Sequence, residues 1–305
     1  MWRTSLGSLK YGSKIVRSAF DVARIRGKPK HKVSLSTSCL IVNEPLTKTF
    51  QADGVRKIVM TSNKTRNALS LSMMEDLIES ITHNQNDPSL RCILLYGEGR
   101  VFSAGHNLKE LTSKDGTEHH QLVFATCSRL MLGIMQSPVP VIAVVQGLAA
   151  AAGCQLVATC DIAVCTENSS FSTPGANFGI FCSTPGIAVA RAVPRKIAAH
   201  MLFTGLPITA EEALQAGLVS KVVSQDSLEE EVHKIVDSIC AKSRSVLELG
   251  KKFLYQQLET DIRTAYRLGE EVMVNNLGLV DGQEGIRSFM EKRKACWSHG
   301  FEKVH

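Results

Sequence analysis

The chain has 305 residues, of which 44% are hydrophobic and 21% charged, and its formal net charge is +6. This length suits one large domain or two smaller ones, and the composition is typical of a soluble globular protein. No charged residue lies between Leu130 and Cys160. We nevertheless expect no membrane span, because Pro138, Pro140 and Gln155 interrupt that stretch and its many Ala and Gly residues insert weakly.

The first 40 residues form a basic leader. They contain nine of the 35 Lys and Arg residues and a single acid, Asp21, together with several serines. The leader lacks the apolar centre of a secretory signal and has the pattern of a mitochondrial transit peptide that ends near residue 40. The alternative is a basic arm that binds nucleic acid. We favour import into the mitochondrial matrix, with no nucleic acid as partner.

The nine cysteines do not form any CxxC pair, so we expect no metal site. Their odd number, without a secretory signal, predicts free thiols in a reducing compartment. Most are expected to be small buried hydrophobic residues.

Strand and helix signals alternate along most of the chain. After a polar stretch at about 27–50, the predicted elements are a strand at 55–60, a helix opened by a capping box at 72–75, strands at 93–96 and 101–102, a helix at 119–135, and strands at 141–145 and 162–165. Capping boxes at 209–212 and 227–230 begin further helices, residues 217–219 indicate a return to the sheet, and 247–297 is helical. This alternation favours an α/β domain with parallel strands.

Two glycine-centred turns stand between a strand and a helical pattern. They are residues 102–108, FSAGHNL, and residues 146–155, QGLAAAAGCQ. Each turn would leave backbone N–H groups unpaired at a helix start, and two such donors that converge on one point would stabilise a developing oxyanion. Close packing of a helix on a sheet also selects Ala and Gly. The spacing alone leaves both explanations open.

Five segments, in this order, resemble the crotonase or enoyl-CoA hydratase/isomerase superfamily. They are VFSAGHNLKEL, VQGLAAAAGCQLVATCDIAV, FSTPGANFGIFCSTPG, FTGLPITAEEALQAGLVSKVV and EGIRSFMEKRKACW, which together span about residues 50 to 297. The resemblance implies an α/β spiral of βαβ-type turns over residues 50–245. It also implies a C-terminal helical trimerisation region over residues 246–305, and so a homotrimer or a dimer of trimers.

The resemblance further implies an acyl-CoA thioester as ligand, without a tightly bound cofactor. The thioester carbonyl would lie between the backbone N–H groups of His106 and Ala152, where the family usually has glycine at the second position. The residues expected around the CoA nucleotide are Lys64, Thr65, Arg66, Asn107 and Leu108. Phe289 and Lys292 would add contacts from a neighbouring subunit.

Both acids of the family's hydratases are missing. In ungapped register the two glutamates fall on Gln155 and Gly175, and neither residue exchanges a proton near neutral pH. Asp161 follows the helix and is expected to be structural, whereas Asp115 and Glu118 lie in a polar loop and are expected to be solvated. We therefore predict weak or absent hydratase activity.

Other groups leave different chemistry open. Cys182 lies where relatives place residues near the acyl group, and a thiol can act as nucleophile or acid. Some decarboxylases of the superfamily also carry the AGH turn that contains His106, and decarboxylation needs mainly an oxyanion hole. Whether the chain is an enzyme stays open.

Three functions are therefore weighed. We favour a mitochondrial protein that binds fatty acyl-CoA in fatty acid and lipid metabolism. The alternatives are an active acyl-CoA lyase, decarboxylase or hydrolase, and a non-catalytic regulatory partner of other crotonase subunits.

Overall fold

The computed structural model describes residues 46–304, so the predicted transit peptide lies outside the described residues. No helix in this part of the chain is long and apolar enough to cross a lipid bilayer. The strands, in chain order, are β1 (Thr47–Ala52), β2 (Val55–Met60), β3 (Cys92–Gly97), β4 (Val101–Ser103), β5 (Val141–Val145), β6 (Leu148–Ala150), β7 (Ile162–Thr166), β8 (Ser170–Ser172), β9 (Ile208–Thr209) and β10 (Lys221–Val223).

The larger sheet has six strands in the order β1-β2-β3-β5-β7-β10. All neighbouring strands are parallel except β1 and β2, which form a hairpin. Its turn residues, Asp53 and Gly54, have φ angles of 50° and 80°, as a two-residue hairpin turn of primed type requires. Every residue of β5 is buried, which explains its uninterrupted apolar sequence VIAVV.

The smaller sheet has four strands in the order β4-β6-β8-β9, of which β9 is the antiparallel one. Each pair of consecutive strands, β3 and β4, β5 and β6, or β7 and β8, contributes one strand to each sheet. The chain therefore winds as a spiral between two sheets. The α/β fold predicted from the sequence is confirmed.

The helices cover both faces of the larger sheet. In chain order they are α1 (Leu71–Thr82), α2 (Gly116–Gln136), α3 (Ala152–Thr159), α4 (Ser183–Ala192), α5 (Arg195–Thr204), α6 (Ala210–Ala216), α7 (Leu228–Cys240), α8 (Arg244–Leu258), α9 (Ile262–Leu277) and α10 (Val280–Met290). The main hydrophobic core contains the buried faces of α1, α2 and α3, and a smaller core packs α7 on the opposite side of the sheet.

A buried ion pair connects helix α8 to the core. The Lys251 Nζ donates to an Asp161 carboxylate oxygen at 2.7 Å and to the carbonyls of Ile134 and Val139 at 2.9 and 3.1 Å. The Tyr255 hydroxyl donates to the other Asp161 oxygen at 2.8 Å. Burial lowers the pKa of Lys251, and the negative charge of Asp161 partly offsets this decrease. Asp161 therefore has the structural role expected from the sequence.

Several predicted boundaries are wrong. Helix α1 is capped by Ser70, whose side chain accepts from the Met73 N–H, so Ser72 lies inside the helix. The stretch taken as polar contains β1, an edge strand whose residues after Thr47 are exposed. Helix α7 begins after Ser227 as expected, but the Ser227 side chain makes no cap bond. The predicted capping box at 209–212 is present in full.

Candidate functional site

The two glycine-centred turns meet at the carboxyl ends of β4 and β6. Gly105 has φ 87°, and a Cβ added to it would lie 2.8 Å from the Ala150 carbonyl and 3.2 Å from the Ala152 nitrogen. The turn that contains His106 therefore lies directly against the start of helix α3. Glycine is required here both for the left-handed backbone and for the close approach.

Helix α3 begins at a strained residue. Ala151, its N-cap, has φ 49° and ψ −116°, a conformation that glycine adopts much more readily than alanine. Ala152 is the first helical residue, so its N–H has no partner within the helix. In the described part of the chain, neither this N–H nor that of His106 donates to a protein acceptor. Two free backbone donors thus lie on adjacent turns.

The run of alanines has mainly a packing role. Ala149, Ala150 and Ala152 are buried, and only Ala151 lines the cavity in front of the two turns. A Cβ on Gly153 would lie 2.6 Å from the Ser103 carbonyl, so α3 is pressed onto β4. Of the four alanines, Ala151 alone therefore faces the space in which a ligand could lie. Close helix-to-sheet packing accounts for the others.

The cavity in front of the turns has a volume of about 400 Å³, within the range of small-molecule sites. Its walls are mostly apolar and come from the turn after β4, from α2 and from the segment after β8. The large apolar residues that line it are Leu108, Leu111, Phe124, Phe178, Ile180 and Phe181. Of these six residues, only Leu108 was predicted as a ligand contact from the sequence. Phe178, Ile180 and Phe181 could have been predicted from the run FGIF, because exposed apolar residues in a turn often line a binding site.

His106 lines this cavity with its ring edge-on to Phe124, 5.3 Å between centroids. Its Nδ1 lies 3.4 Å from the Leu69 carbonyl, and because a carbonyl only accepts, this contact places the proton on Nδ1. Among the described residues, Nε2 is buried without a hydrogen-bond partner. Burial lowers the pKa of His106, and the Leu69 contact offsets this only in part. The ring is therefore a neutral imidazole near pH 7.

Gly175, where the resemblance implies the second glutamate, is enclosed by backbone. A Cβ on Gly175 would lie 2.1 Å from the Ile180 carbonyl oxygen and 2.7 Å from the Cys182 Sγ. The Gly175 N–H donates to that sulfur at 3.3 Å. Burial raises the pKa of Cys182, so the thiol is protonated at neutral pH and is a weak nucleophile. Gly175 is thus required by the close approach of the chain.

Gln155, where the resemblance implies the first glutamate, lies at a different cavity. Gln155 is 5% exposed and lines a second cavity of about 550 Å³ between α2, α3, α4 and α8. It does not line the first cavity. The Cys127 thiol donates weakly to its Oε1 at 3.8 Å. Of the residues that line the first cavity, only His106 and Cys182 are titratable, so no carboxylate faces it.

The segment predicted to meet the CoA nucleotide is tied to the His106 turn. The Arg66 carbonyl accepts from the Ala104 N–H at 3.0 Å, the Asn67 carbonyl accepts from the Ser103 hydroxyl at 2.8 Å, and the Leu69 N–H donates to the Gly105 carbonyl at 2.8 Å. The side chains of Lys64, Thr65 and Arg66 are exposed beside the turn. The Lys64 and Arg66 side chains are therefore available to a ligand, whereas the Thr65 hydroxyl already donates to the Ser62 carbonyl at 3.0 Å.

The remaining predicted contacts divide into two groups. Asn107 caps the short 3₁₀ turn Leu108–Glu110 and donates to Glu110 at 3.0 Å, so its side chain is already engaged. Phe289, at the end of α10, is 85% exposed, and Lys292 is also exposed. Neither lines either of the two cavities of its own chain. Their role in a neighbouring subunit stays a prediction.

A spiral between two mainly parallel sheets, with two adjacent free N–H donors at an apolar cavity, defines a crotonase-fold protein. The family model described as Enoyl-CoA hydratase/isomerase matches residues 51–300. The chain belongs to the enoyl-CoA hydratase/isomerase family.

Named relatives agree with this assignment. The chain is similar to enoyl-CoA hydratase domain-containing protein 3, mitochondrial, from Homo sapiens, with 56% identity over 253 residues, covering 83% of this chain and 84% of the relative. The Danio rerio protein of the same name is 46% identical over 294 residues, covering 95% of this chain and all of the relative. Because these relatives are named mitochondrial, the predicted mitochondrial localisation is confirmed.

Solved structures show the same fold. The crystal structure of human enoyl Coenzyme A hydratase domain-containing protein 3 matches with a TM-score of 0.82 at 55% identity, covering 83% of this chain and 100% of that chain. An enoyl-CoA hydratase from Mycobacterium smegmatis matches with a TM-score of 0.81 at 41% identity, covering 83% and 99%.

Proposed function

We propose that the protein binds a fatty acyl-CoA thioester and acts in mitochondrial fatty acid metabolism, with hydratase activity weak or absent. The thioester carbonyl accepts hydrogen bonds from the N–H groups of His106 and Ala152, and the start of the acyl group occupies the 400 Å³ cavity. The observation that carries this proposal is the pairing of two free N–H donors with a cavity that no carboxylate faces.

Hydration fails because water has no general base and the α carbon has no carboxylic acid. Each of these groups typically contributes about 10² to 10⁴ in rate. Gln155 supplies an amide that does not ionise, and Gly175 supplies no side chain. The oxyanion donors remain, so binding and polarisation of the carbonyl are retained without the proton transfers.

The CoA part is held by charge and by a neighbouring copy of the chain. Lys64 and Arg66 lie exposed on the segment tied to the His106 turn, where their cations can pair with phosphates. Phe289 and Lys292 are exposed and line neither of these cavities of their own chain, which supports contacts made across a homotrimer or a dimer of trimers. The ligand is thus coenzyme A thioester, with no tightly bound cofactor.

A second candidate function is decarboxylation of a carboxyacyl-CoA. It is favoured by the unpartnered Nε2 of His106 and the protonated thiol of Cys182, which are the titratable groups of the cavity. Loss of CO₂ from the α carbon leaves an enolate that the two N–H groups stabilise, and the thiol supplies the proton that completes the acyl-CoA product. Water then returns a proton to the thiolate.

The test combines binding and turnover on the purified full-length chain. Butyryl-CoA is titrated by calorimetry beside its S-butyl thioether, which lacks the carbonyl and is otherwise matched. Two hydrogen bonds to a neutral carbonyl are worth about 1 to 3 kcal/mol, so we expect the thioester to bind about 5- to 150-fold more tightly. Equal affinities would contradict the oxyanion-donor assignment.

Turnover is measured with crotonyl-CoA through the loss of enoyl absorbance. We expect no rate near the usual enzyme range of about 1 to 10³ s⁻¹. A rate in that range would overturn the proposal. Release of CO₂ from methylmalonyl-CoA would favour the second candidate, and failure of every CoA compound to bind would favour a non-catalytic partner of other crotonase subunits.

A further inference from the structure

Two cysteines from distant parts of the sequence come together in the smaller hydrophobic core. Cys92 is the first residue of β3, and Cys240 is the last residue of α7. Cys92 is a buried member of this core, and the Cys240 side chain packs against it. The two thiols interact through a hydrogen bond. Neither residue lines either of the two cavities, so this thiol pair lies outside the proposed acyl-CoA site.

The two thiols differ in their access to solvent. Cys92 has no exposed surface, whereas Cys240 is partly exposed. Helix ends fray, so Cys240 can make the small shift that bond formation needs while Cys92 stays fixed in the sheet. An oxidant dissolved in water therefore reaches Cys240 first. A partly exposed thiol beside a second, resolving thiol is the usual arrangement of redox-sensitive cysteines.

The groups around the pair favour Cys240 as the thiol that reacts first. Burial raises the pKa of Cys240, and the negative charge of Asp237 adds to this increase. The cation of Arg91 and the hydrogen bond with Cys92 oppose it. Burial raises the pKa of Cys92 to about 12, and the interaction with Cys240 raises it further instead of lowering it. Because the thiolate is the nucleophile, Cys240 attacks the oxidant and Cys92 acts second.

We propose that Cys92 and Cys240 form a redox modification site, at which a hydroperoxide converts the two thiols into a disulfide between β3 and the end of α7. The Cys240 thiolate attacks one oxygen of hydrogen peroxide, so that an S–O bond forms, the O–O bond breaks and the other oxygen leaves as water. Cys92 then attacks the sulfur of this sulfenic acid, so that the S–S bond forms and a second water leaves. The two sulfurs give up two electrons, which the peroxide gains. A dithiol reductant restores both thiols by exchange.

The disulfide would join two parts of the native fold that the sequence keeps far apart. It closes a loop from residue 92 to residue 240, which restricts the unfolded chain and so favours the folded one. The carbonyl of Ala241, the next residue, accepts from the Trp297 Nε1 at 2.8 Å, so the site lies where the C-terminal segment meets α7. In a reducing compartment the free thiols are the resting state and the disulfide is transient. This inference holds whether or not the protein binds acyl-CoA.

The first test is peptide mapping of the full-length chain after treatment with hydrogen peroxide. Trypsin places Cys92 in the peptide 92–100 and Cys240 in the peptide 235–242, and each of these peptides contains a single cysteine. We expect the two peptides to become linked by a disulfide that dithiothreitol removes. Cys296, which is exposed, reports that the peroxide has reacted with the protein. Oxidation of Cys296 without the linked pair, or a link from Cys240 to a different cysteine, would overturn the inference.

The second test follows the order of the two steps with dimedone, which labels sulfenic acids. Cys92→Ala removes the resolving thiol, so we expect about 10-fold more dimedone on Cys240 than in the native chain. Cys240→Ser should leave Cys92 unlabelled because Cys92 is buried. Cys296→Ser is the matched control and should keep the linked pair. Equal labelling of Cys240 in the native chain and in Cys92→Ala would refute the pairing.

The third test asks whether the bond suits the native fold. A disulfide that fits the native positions stabilises the folded chain, so we expect the peroxide-treated protein to unfold at a midpoint about 4 °C or more above that of the reduced protein. Dithiothreitol should reverse this rise, and Cys240→Ser should not show it. An unchanged or lower midpoint in the linked protein would contradict a disulfide formed within the native fold.

Discussion

Replacing Gly175 by alanine tests whether the nearby Ile180 carbonyl leaves no room for a side chain at position 175. Carbon and carbonyl oxygen atoms stay about 3.3 Å apart in close favourable contacts, so the new Cβ and the Ile180 oxygen would have to separate by roughly 1.2 Å from their 2.1 Å starting distance. The Ile180 N–H also donates to the Gly175 carbonyl at 3.0 Å, and this bond would be strained. Overpacking costs about 1 to 3 kcal/mol and a lost hydrogen bond about 1 kcal/mol.

We therefore expect Gly175→Ala to lower the free energy of unfolding by about 2 to 4 kcal/mol. The measurement is urea unfolding followed by circular dichroism at a fixed protein concentration. The matched control is Gly133→Ala, because a Cβ at this helical glycine meets nothing within 4 Å. Alanine there should stabilise the protein by up to about 1 kcal/mol.

A partial rescue distinguishes the two contacts of the new Cβ. Adding Cys182→Ala to Gly175→Ala removes the sulfur but leaves the Ile180 carbonyl, so only part of the lost stability should return. If Gly175→Ala unfolds within about 0.5 kcal/mol of the native chain, the steric argument is refuted. The same argument predicts that Gly175→Glu, even with Gln155→Glu, gives no efficient hydratase.

Three further predictions concern Lys251, Ala151 and His106. Lys251→Met leaves the Asp161 carboxylate without its cation and should lower the free energy of unfolding, measured in urea, by about 3 to 5 kcal/mol. Adding Asp161→Asn should recover most of that loss. An unchanged free energy of unfolding in Lys251→Met would refute the stabilising role of the buried pair. Ala151→Gly relieves a strained positive φ and should raise the thermal midpoint by the equivalent of about 1 kcal/mol, so a lower midpoint would contradict the strain. Burial holds the folded-state pKa of His106 below its unfolded value of about 6.5. The unfolded chain therefore binds a proton more readily than the folded chain, and the free energy of unfolding decreases as the pH falls below about 6.5. His106→Asn should therefore lose less stability than the native chain between about pH 7.5 and 5.5 in urea titrations, and equal losses would refute this assignment.

The central strands were predicted well because a short, uninterrupted run of apolar residues is typical of a strand that is buried on both faces. The VIAVV of β5 is buried at every position, as such a run predicts. Among the short strands, β4 was predicted from its apolar pair at 101–102, whereas β6, β8 and β9 were missed because two or three residues are too few to show a period. Exposed β1 was missed because its pairing depends on the hairpin turn at Asp53.

The candidate site was predictable as a set of turns but not as a set of distances. Gly105 and the small residues after Gly147 signalled two close backbone approaches, and the structure brings those turns together. The sequence could not show that Gln155 lines a second cavity, because that depends on which side of α3 packs against α2 and α8. It also could not show that Ile180 blocks the side-chain direction at Gly175.

The contact between position 175 and the Ile180 carbonyl also bears on how this chain can change over time. A glutamate placed at position 175 by a single mutation would bring its side chain against the backbone of its own turn, so poor folding would oppose any gain in catalysis. Glutamate at Gln155 alone would supply one acid and not the pair. Under the proposed function, hydration would need a rearranged turn together with two acids, which makes this chemistry difficult to acquire by stepwise evolution.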